Sequence, residues 1–358
     1  MQEEGGNPMA PLLRAVNRIA DTLGPTHPHL LFDTLAYEYT VNPPTKTLPA
    51  SNVVIRVCLA GCNSAEPIAT QRGGGWTFCR KPLLDWVARG RVHVWQYATD
   101  FQSVMLPFPN YFALGRDIHF FATHNVTGVF EQGADAGPGG ELHLLKDFLM
   151  GRMMFDSSLD PDELIRDFST HYYGATATPG VWRYMEILHN ATKGYYLYDS
   201  YDVTAGFLTP PVIIDAAEAL EVARLATVKA AGPSAAKFVD RLDVLKLHIW
   251  YVALRRYTEV RIAWATGTPW PFGSGSAQCQ PCTASSCLAN EPACQHATFA
   301  EFRRVFVKQG WENRTSLGLS PAPVAGFPIA VLGKPNSSAC DVDCFGAKLF
   351  SGYWPPAG

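Results

Sequence analysis

The stretch "VTGVFEQG", Val126–Gly133, decides how this chain is read. It is apolar and β-branched, too short for a helix, then turns polar and stops at a glycine. Upstream, "RVHVWQYATDF", Arg91–Phe101, has the same shape, as do "NVVIRVCLA", Asn52–Ala60, and "HLLFDTLAYEY", His29–Tyr39. Helix-like segments lie between and after them. One is "KPLLDWVARG" from Lys81, one lies within "FPNYFALGRDIHFFATHN" from Phe108, and one is "GGELHLLKDFLMGRMMF", Gly139–Phe155. Strand and helix alternate through short connections, which implies a parallel sheet with helices outside it. The nearly continuous apolar run of Asn52–Ala60 is what a strand covered on both faces requires.

Outward from this core the signal changes. Before the first strand, Ala10–Leu23 carries apolar residues at helical spacing and stops at Gly24-Pro25. Beyond Asp156 the periodicity predicts helices over Pro161–His171, Pro179–Tyr198, Pro211–Ala231 and Ser234–Ala265, with no strand between them. After Gly267 the chain becomes irregular and rich in Cys, Pro and Gly. The expected fold class is α/β: a partial TIM-like (β/α) barrel of about four βα units, then an all-helical region and a Cys-rich tail. The divisions fall at 1–156, 157–266 and 267–358. Four βα units cannot close a barrel that needs eight, so the sheet is either open or half of a barrel. A leading helix with no strand before it favours the half-barrel, with the N-terminal half missing.

The totals exclude several classes. The chain has 358 residues and a formal net charge of −3, with 47% hydrophobic and 17% charged residues. No basic face is implied, so nucleic acid is not an expected partner. No apolar run reaches the ~20 residues that span a bilayer, so no membrane partner is expected either. The N-terminus begins acidic and does not read as a signal peptide. Yet six of the nine cysteines lie between Cys279 and Cys344, a density that suits an oxidising compartment. Asn-x-Ser/Thr sequons occur at Asn125, Asn190, Asn313 and Asn336. These observations agree if the natural N-terminus lies further upstream, and the expected location is extracellular or secretory.

The runs "TLAYEYTVNPP", "NVVIRVCLAGC", "VHVWQYATDFQSVMLPFPNYFALGRDIHFF", "GVFEQG" and "DPDELIRDFSTHYYG" resemble one known family, domain of unknown function 4838. The resemblance covers roughly Leu12 to Tyr198. Its most specific pieces are "PFPN" at Pro107–Asn110, "FEQG" at Phe130–Gly133 and "YYG" at Tyr172–Gly174. The family is related in fold to α-glucuronidases and other glycoside-hydrolase barrels. The resemblance therefore implies that the four strands are barrel strands five to eight. It also implies that the helical region matches the helical C-terminal domain of α-glucuronidase-like proteins. The ligand it implies is a carbohydrate, uronic-acid-containing sugars among the candidates. Where the family shows Trp-Asp-Tyr, this chain has Trp95-Gln96-Tyr97. By analogy that Asp and the Glu of "FEQG" would flank the attacking water, and a neutral amide cannot act as base.

Glycoside hydrolysis needs two carboxyl groups about the scissile bond. In such barrels they sit at the C-terminal ends of strands, where Glu131 falls. Asp100, on the loop after Gln96, is the candidate second acid. Against this stands the plain alternative that Glu131 is a solvated strand end. Tyr37, Trp95, Gln96, Tyr97 and Gln132 are the candidate sugar contacts, since aromatic faces stack on sugar rings while a polar edge still bonds. Glu131, Gln96 and Tyr97 are expected to share one concave rim. His93, also in the third strand, reads as a packed histidine. No G-x-S-x-G, phosphate loop or H-E-x-x-H is present, and neither cofactor nor metal is expected.

The tail "CQPCTASSCLANEPACQH", Cys279–His296, permits a zinc knuckle but lacks a second one, and with Cys340 and Cys344 it favours three disulfides. Cys58 and Cys62 are placed to pair, leaving Cys79 as the odd thiol. Three functions compete: a secreted glycoside hydrolase needing its other half-barrel, a non-catalytic carbohydrate-binding or structural protein, and an incomplete gene product.

Overall fold

Helix α1 (Met9–Leu23) buries Met9, Ala10, Leu13 and Ala20, residues spaced along one helical face. Strands β1 (Phe32–Ala36), β2 (Val53–Cys58), β3 (Arg91–Tyr97) and β4 (Val126–Gln132) then form one sheet in chain order, every neighbouring pair parallel. Helices α2 (Arg80–Val87) and α3 (Tyr111–Thr123) fill the connections. One face of the sheet is covered. Ile55, Val57, Val92 and Val94 pack there with Leu13 of α1, Leu83 and Trp86 of α2, and Phe120 and Phe121 of α3. In β2 every residue except Arg56 is buried, as its continuous apolar run requires.

The structure, a computed structural model, describes residues 4–71, 79–133, 140–264, 271–272, 298, 300–306 and 308. The cysteine cluster from Cys279 to Cys344, with Asn313 and Asn336, lies outside the described residues, and so does the choice between zinc and disulfides there. Among the described residues no helix is long and apolar enough to cross a membrane.

After β4 come helices α4 (His143–Phe155), α5 (Pro161–Tyr173), α6 (Thr178–Ala191), α7 (Pro210–Ala230), α8 (Ala235–Arg255) and α9 (Tyr257–Ala263). A second core joins them to the α/β layer: Tyr111 and Leu114 of α3 and Leu149 and Met153 of α4 pack with Tyr184, Leu220 and Trp250. The α5 boundaries are written in "LDPDEL…YYG". The Asp160 carboxylate accepts from the amides of Asp162 at 2.7 Å and Glu163 at 3.1 Å, and Pro161 opens the first turn. Gly174 ends the helix at φ 90°, and a Cβ there would meet the Phe238 ring at 2.7 Å.

Four expectations need correction. β1 begins at Phe32 and stops at Ala36, because Glu38–Thr40 closes into a 3₁₀ turn instead of continuing the strand. α6 stops at Ala191, seven residues short of the expected Tyr198. The expected helix from Ser234 breaks at Arg256, whose φ of −118° and ψ of 35° separate α8 from α9. Among the described residues the disulfide joins Cys62 to Cys79, with Cα atoms 6.0 Å apart, and the free thiol is the buried Cys58. Cys58 closes β2, while Cys62 lies beyond the turn, facing the start of α2.

Candidate functional site

Parallel strands of one sheet end on one edge, and ligand sites of α/β proteins gather there. At this edge stand Tyr37 after β1, Cys58 ending β2, Tyr97 ending β3 and Gln132 ending β4. The register pairs Cys58 with Trp95, Trp95 with Phe130, Gln96 with Glu131, and Tyr97 with Gln132. Paired residues share a face, and successive residues of a strand alternate. His93, Trp95, Tyr97, Phe130 and Gln132 therefore lie on the open face, opposite the helices. Gln96 and Glu131 lie on the covered face. The single rim expected for Glu131, Gln96 and Tyr97 is thus corrected. Gln96 and Tyr97 are consecutive in one strand, and a period of two sends them to opposite sides.

The open face is an aromatic platform. The Trp95 indole Nε1 donates to Gln132 Oε1 at 2.9 Å. Phe130 meets Trp95 edge-on with centroids 4.8 Å apart, Tyr97 stacks at 6.3 Å, and Phe101 meets Tyr97 edge-on at 5.6 Å. Phe130 remains 45% exposed. Deeper on the same face, Arg56 holds Asp33 Oδ2 through Nε at 3.1 Å and Nη2 at 2.8 Å, with His93 Nδ1 4.0 Å from the same oxygen. Partial burial pushes the His93 imidazole below its usual pKa. Its ring lies over Gly128, where a Cβ would meet it at 2.7 Å, so the glycine of "VTGVF" leaves room for the imidazole.

Tyr37 and Tyr97 close the platform at the strand ends. Burial, first of all, raises the pKa of both phenols, and the charge of Asp199 adds to it. Asp199 comes from the helical region. There the Tyr196 hydroxyl donates to Gly61 O at 2.5 Å, the Leu197 amide to Asn63 Oδ1 at 3.0 Å, and the Phe101 amide to Asp199 O at 2.9 Å. Burial raises the Asp199 carboxyl as well. Glu38, next to Tyr37 in the chain and held at a left-handed φ of 48°, is a second carboxylate at the edge, and its charge adds to the rise of the Tyr37 phenol. Sequence reasoning missed both. Glu38 was visible within "YEY"; Asp199 is brought in only by the crossing of the helical region over the strand ends.

The covered face holds a different cluster. Gln96 is 8% exposed, and its Nε2 donates to Asp117 Oδ2 of α3 at 2.7 Å. The Ile68 amide donates to Asp117 Oδ1 at 2.7 Å. Because β4 is an edge strand, the Glu131 residue is partly exposed, yet both its carboxylate oxygens are buried without a hydrogen bond. Burial, reinforced by the charge of Asp117, pushes Glu131 up to about 8. Burial pushes Asp117 to about 7, against its two hydrogen bonds. At neutral pH the cluster retains protons; it does not present a base to solvent. Asp117 was missed by sequence because it reads as the polar side of an outer helix.

Asp100 is fully buried. Its Oδ1 accepts from the amides of Gln102 at 2.9 Å and Ser103 at 3.3 Å, folding the loop after β3, and burial pushes it up to about 8. The structure brings Tyr37, Trp95, Tyr97 and Gln132 together on one face and places Gln96 and Glu131 on the other, while Asp100 is buried in the loop after β3. Among the described residues no group of three or more His, Cys, Asp and Glu side chains could hold a metal ion.

A family model described as "Domain of unknown function (DUF4838)" matches residues 1–186. Among curated proteins and solved structures nothing matches the chain.

Proposed function

The chain belongs to the DUF4838 family, and from that premise we propose that it is a glycoside-hydrolase-like protein that binds a carbohydrate on the open face of its sheet. The observation that carries the reading is the platform of Trp95, Tyr97 and Phe130 at the C-terminal edge, with the Gln132 amide beside it. Aromatic faces cover the apolar faces of sugar rings, and an amide meets their hydroxyls. The half-barrel reading is supported by the parallel order of β1 to β4 and by exposed Leu35 and Phe130 on the uncovered face. Further strands against β1 and β4 would then complete a barrel around that face, with helical domain 157–266 and tail 267–358 following barrel segment 1–156. The secretory reading is supported by the Cys62–Cys79 bridge and by the exposure of the sequon residues Asn125 and Asn190.

A hydrolytic reading, with Glu131 and Asp100 as its carboxyls, keeps one support. Both hold protons at neutral pH, as a general acid must. The burial of their carboxylate oxygens, and the amide of Gln96 beside Glu131 where the resemblance expects an acid, favour binding without turnover. The test is isothermal titration with neutral and uronic-acid oligosaccharides. Trp95→Ala and Phe130→Ala should each weaken binding at least ~10-fold, as loss of a stacking face does. Failure of every oligosaccharide to bind, or variants that bind like the parent, would remove the reading.

A further inference from the structure

At the strand-end rim of the platform, β1 runs into Tyr37 and the exposed Glu38. Segment 196–199 of the helical region crosses the strand ends there. It is fixed by the Tyr196 hydroxyl on Gly61 O, the Leu197 amide on Asn63 Oδ1 and the Phe101 amide on Asp199 O. The Tyr198 ring lies against Gly61, its Cε2 3.4 Å from where a Cβ would stand, and the residue stays 43% exposed. We propose that this rim selects an amino sugar, whose protonated amine meets Glu38 with Tyr37, Tyr198 and Asp199 around it. This rests on the carbohydrate reading above and narrows it to one class of sugar.

Charge decides the class. Burial first, and then the charges of both Glu38 and Asp199, raise the Tyr37 and Tyr198 phenols, which puts the four residues in one neighbourhood. Among the described residues neither carboxylate has an ion-pair partner. Glu38 stands in solvent, whereas Asp199 is only 8% exposed and acts from just beneath the rim. A carboxylate that deep is normally paired, so the offsetting charge is left to a ligand. The cations of the open face are committed elsewhere. Arg56 is held by Asp33 through two nitrogens, and partial burial keeps the His93 imidazole below its usual pKa. Arg91 opens β3, at the far end of the strand from Tyr97, about 20 Å away. A uronate would therefore bring its carboxylate to two others with no cation to offset it. A neutral ring would gain nothing from them. A protonated amine is attracted by Glu38 directly and by Asp199 at longer range. The tyrosine rings add to this, because the π face of an aromatic ring attracts a cation. The rim is open to solvent, so a sugar reaches it without entering the fold.

The test uses the full chain at about pH 6, below the ~7.7 of an α-amino group. Tetramers of glucosamine, N-acetylglucosamine, glucose and galacturonate are titrated by calorimetry. The glucosamine tetramer should bind ~10-fold tighter than the N-acetylglucosamine tetramer, whose nitrogen is uncharged, and galacturonate should bind weakest. That ratio should shrink in ~1 M salt, where the screening length falls to about 3 Å. Glu38→Gln should lower it ~3-fold, and adding Asp199→Asn should bring it close to one. Should a variant fail to fold, the salt dependence of the parent still decides. Equal binding of the glucosamine and N-acetylglucosamine tetramers, or tighter binding of galacturonate, overturns this inference and leaves the platform reading standing. A glucosamine preference that survives the salt overturns it too. So does one that survives both substitutions, and the attraction then belongs to the net charge of −3 of the whole chain. If no tetramer binds, both readings fall.

Discussion

At the scale of single residues, Glu131 shows how strand alternation governs chemistry. Its register partner Gln96 and the helix residue Asp117 share the covered face. Together with Asp100, the cluster gives a signed pH prediction. Asp100, Asp117 and Glu131 have folded pKa values of about 8, 7 and 8, above their unfolded values. A raised carboxyl binds more protons in the folded chain, so its stabilising contribution is complete below the unfolded pKa and is lost as pH rises through the folded one. The buried histidines act oppositely. His248, held to about 3 by burial, adds stability as pH rises, but only up to its unfolded value near 6.5. Between about pH 6.5 and 8 the carboxyls therefore set the slope, and stability should fall by at most about 1.4 kcal/mol per pH unit for each. Glu131→Gln removes one of them. Urea unfolding across this window should show a shallower fall in the variant and greater stability than the parent at pH 8. Parallel curves for the two proteins would mean that Glu131 is ionised in the fold. The sequence contained the material to place Glu131 correctly. Tyr97 follows Gln96 directly, so one of them had to leave the rim; what it lacked was the identity of the face the helices cover.

At the scale of elements, legibility followed local chemistry. α5 was readable because its boundaries are side-chain chemistry: Asp160 caps, Pro161 opens and Gly174 stops. Asp160→Ala should destabilise the protein by about 1 kcal/mol, because the amides of Asp162 and Glu163 lose their acceptor. The change would appear as a lower urea midpoint with an unchanged slope, whereas a midpoint equal to the parent's would mean that water replaces the cap fully. Asp162 also receives a two-pronged bond from Arg116 of α3, at 3.1 and 2.9 Å, so the cap steadies the contact between the α/β layer and the helices. The boundaries that were misread have no such local marker. Nothing in "HLLFD" distinguishes a lead-in from a strand, and β1 starts only where Phe32 can donate to Asn52 O of the neighbouring chain segment. Likewise α8 and α9 form one periodic run in sequence, and the break at Arg256 is where its guanidinium reaches back to Val203 O at 3.4 Å and to Leu208 O. Those partners are far away in sequence and invisible to periodicity.

At the scale of the whole molecule, long-range connections decide what sequence could not. Parallel order and the covered face follow from alternating strands and helices. By contrast, the approach of Asp199 to Tyr37 and the choice of disulfide depend on how separate segments meet. Cys62 and Cys79 lie 17 residues apart and bracket the connection from the C-terminal edge of β2 to α2. That connection is also held by Gln71, whose amide donates to Asn63 O at 2.7 Å and Glu66 O at 2.9 Å, and by the Ile68 amide on Asp117. Closing a loop of this length restricts the unfolded chain by about 3 kcal/mol. Cys62→Ser with Cys79→Ser should therefore lower the unfolding free energy by roughly that amount, with the hydrogen bonds of the connection keeping the native structure in place. Cys58 makes the pairing separately checkable. It is buried on the open face, and burial pushes its thiol up to about 11, so it lacks the thiolate needed to react at neutral pH. Native iodoacetamide labelling, read peptide by peptide over Cys58, Cys62 and Cys79, should leave all three unmodified. After unfolding without reductant only Cys58 should label, and after unfolding with reductant all three should. Labelling of Cys79 in the unreduced, unfolded chain would instead return the bridge to Cys58 and Cys62.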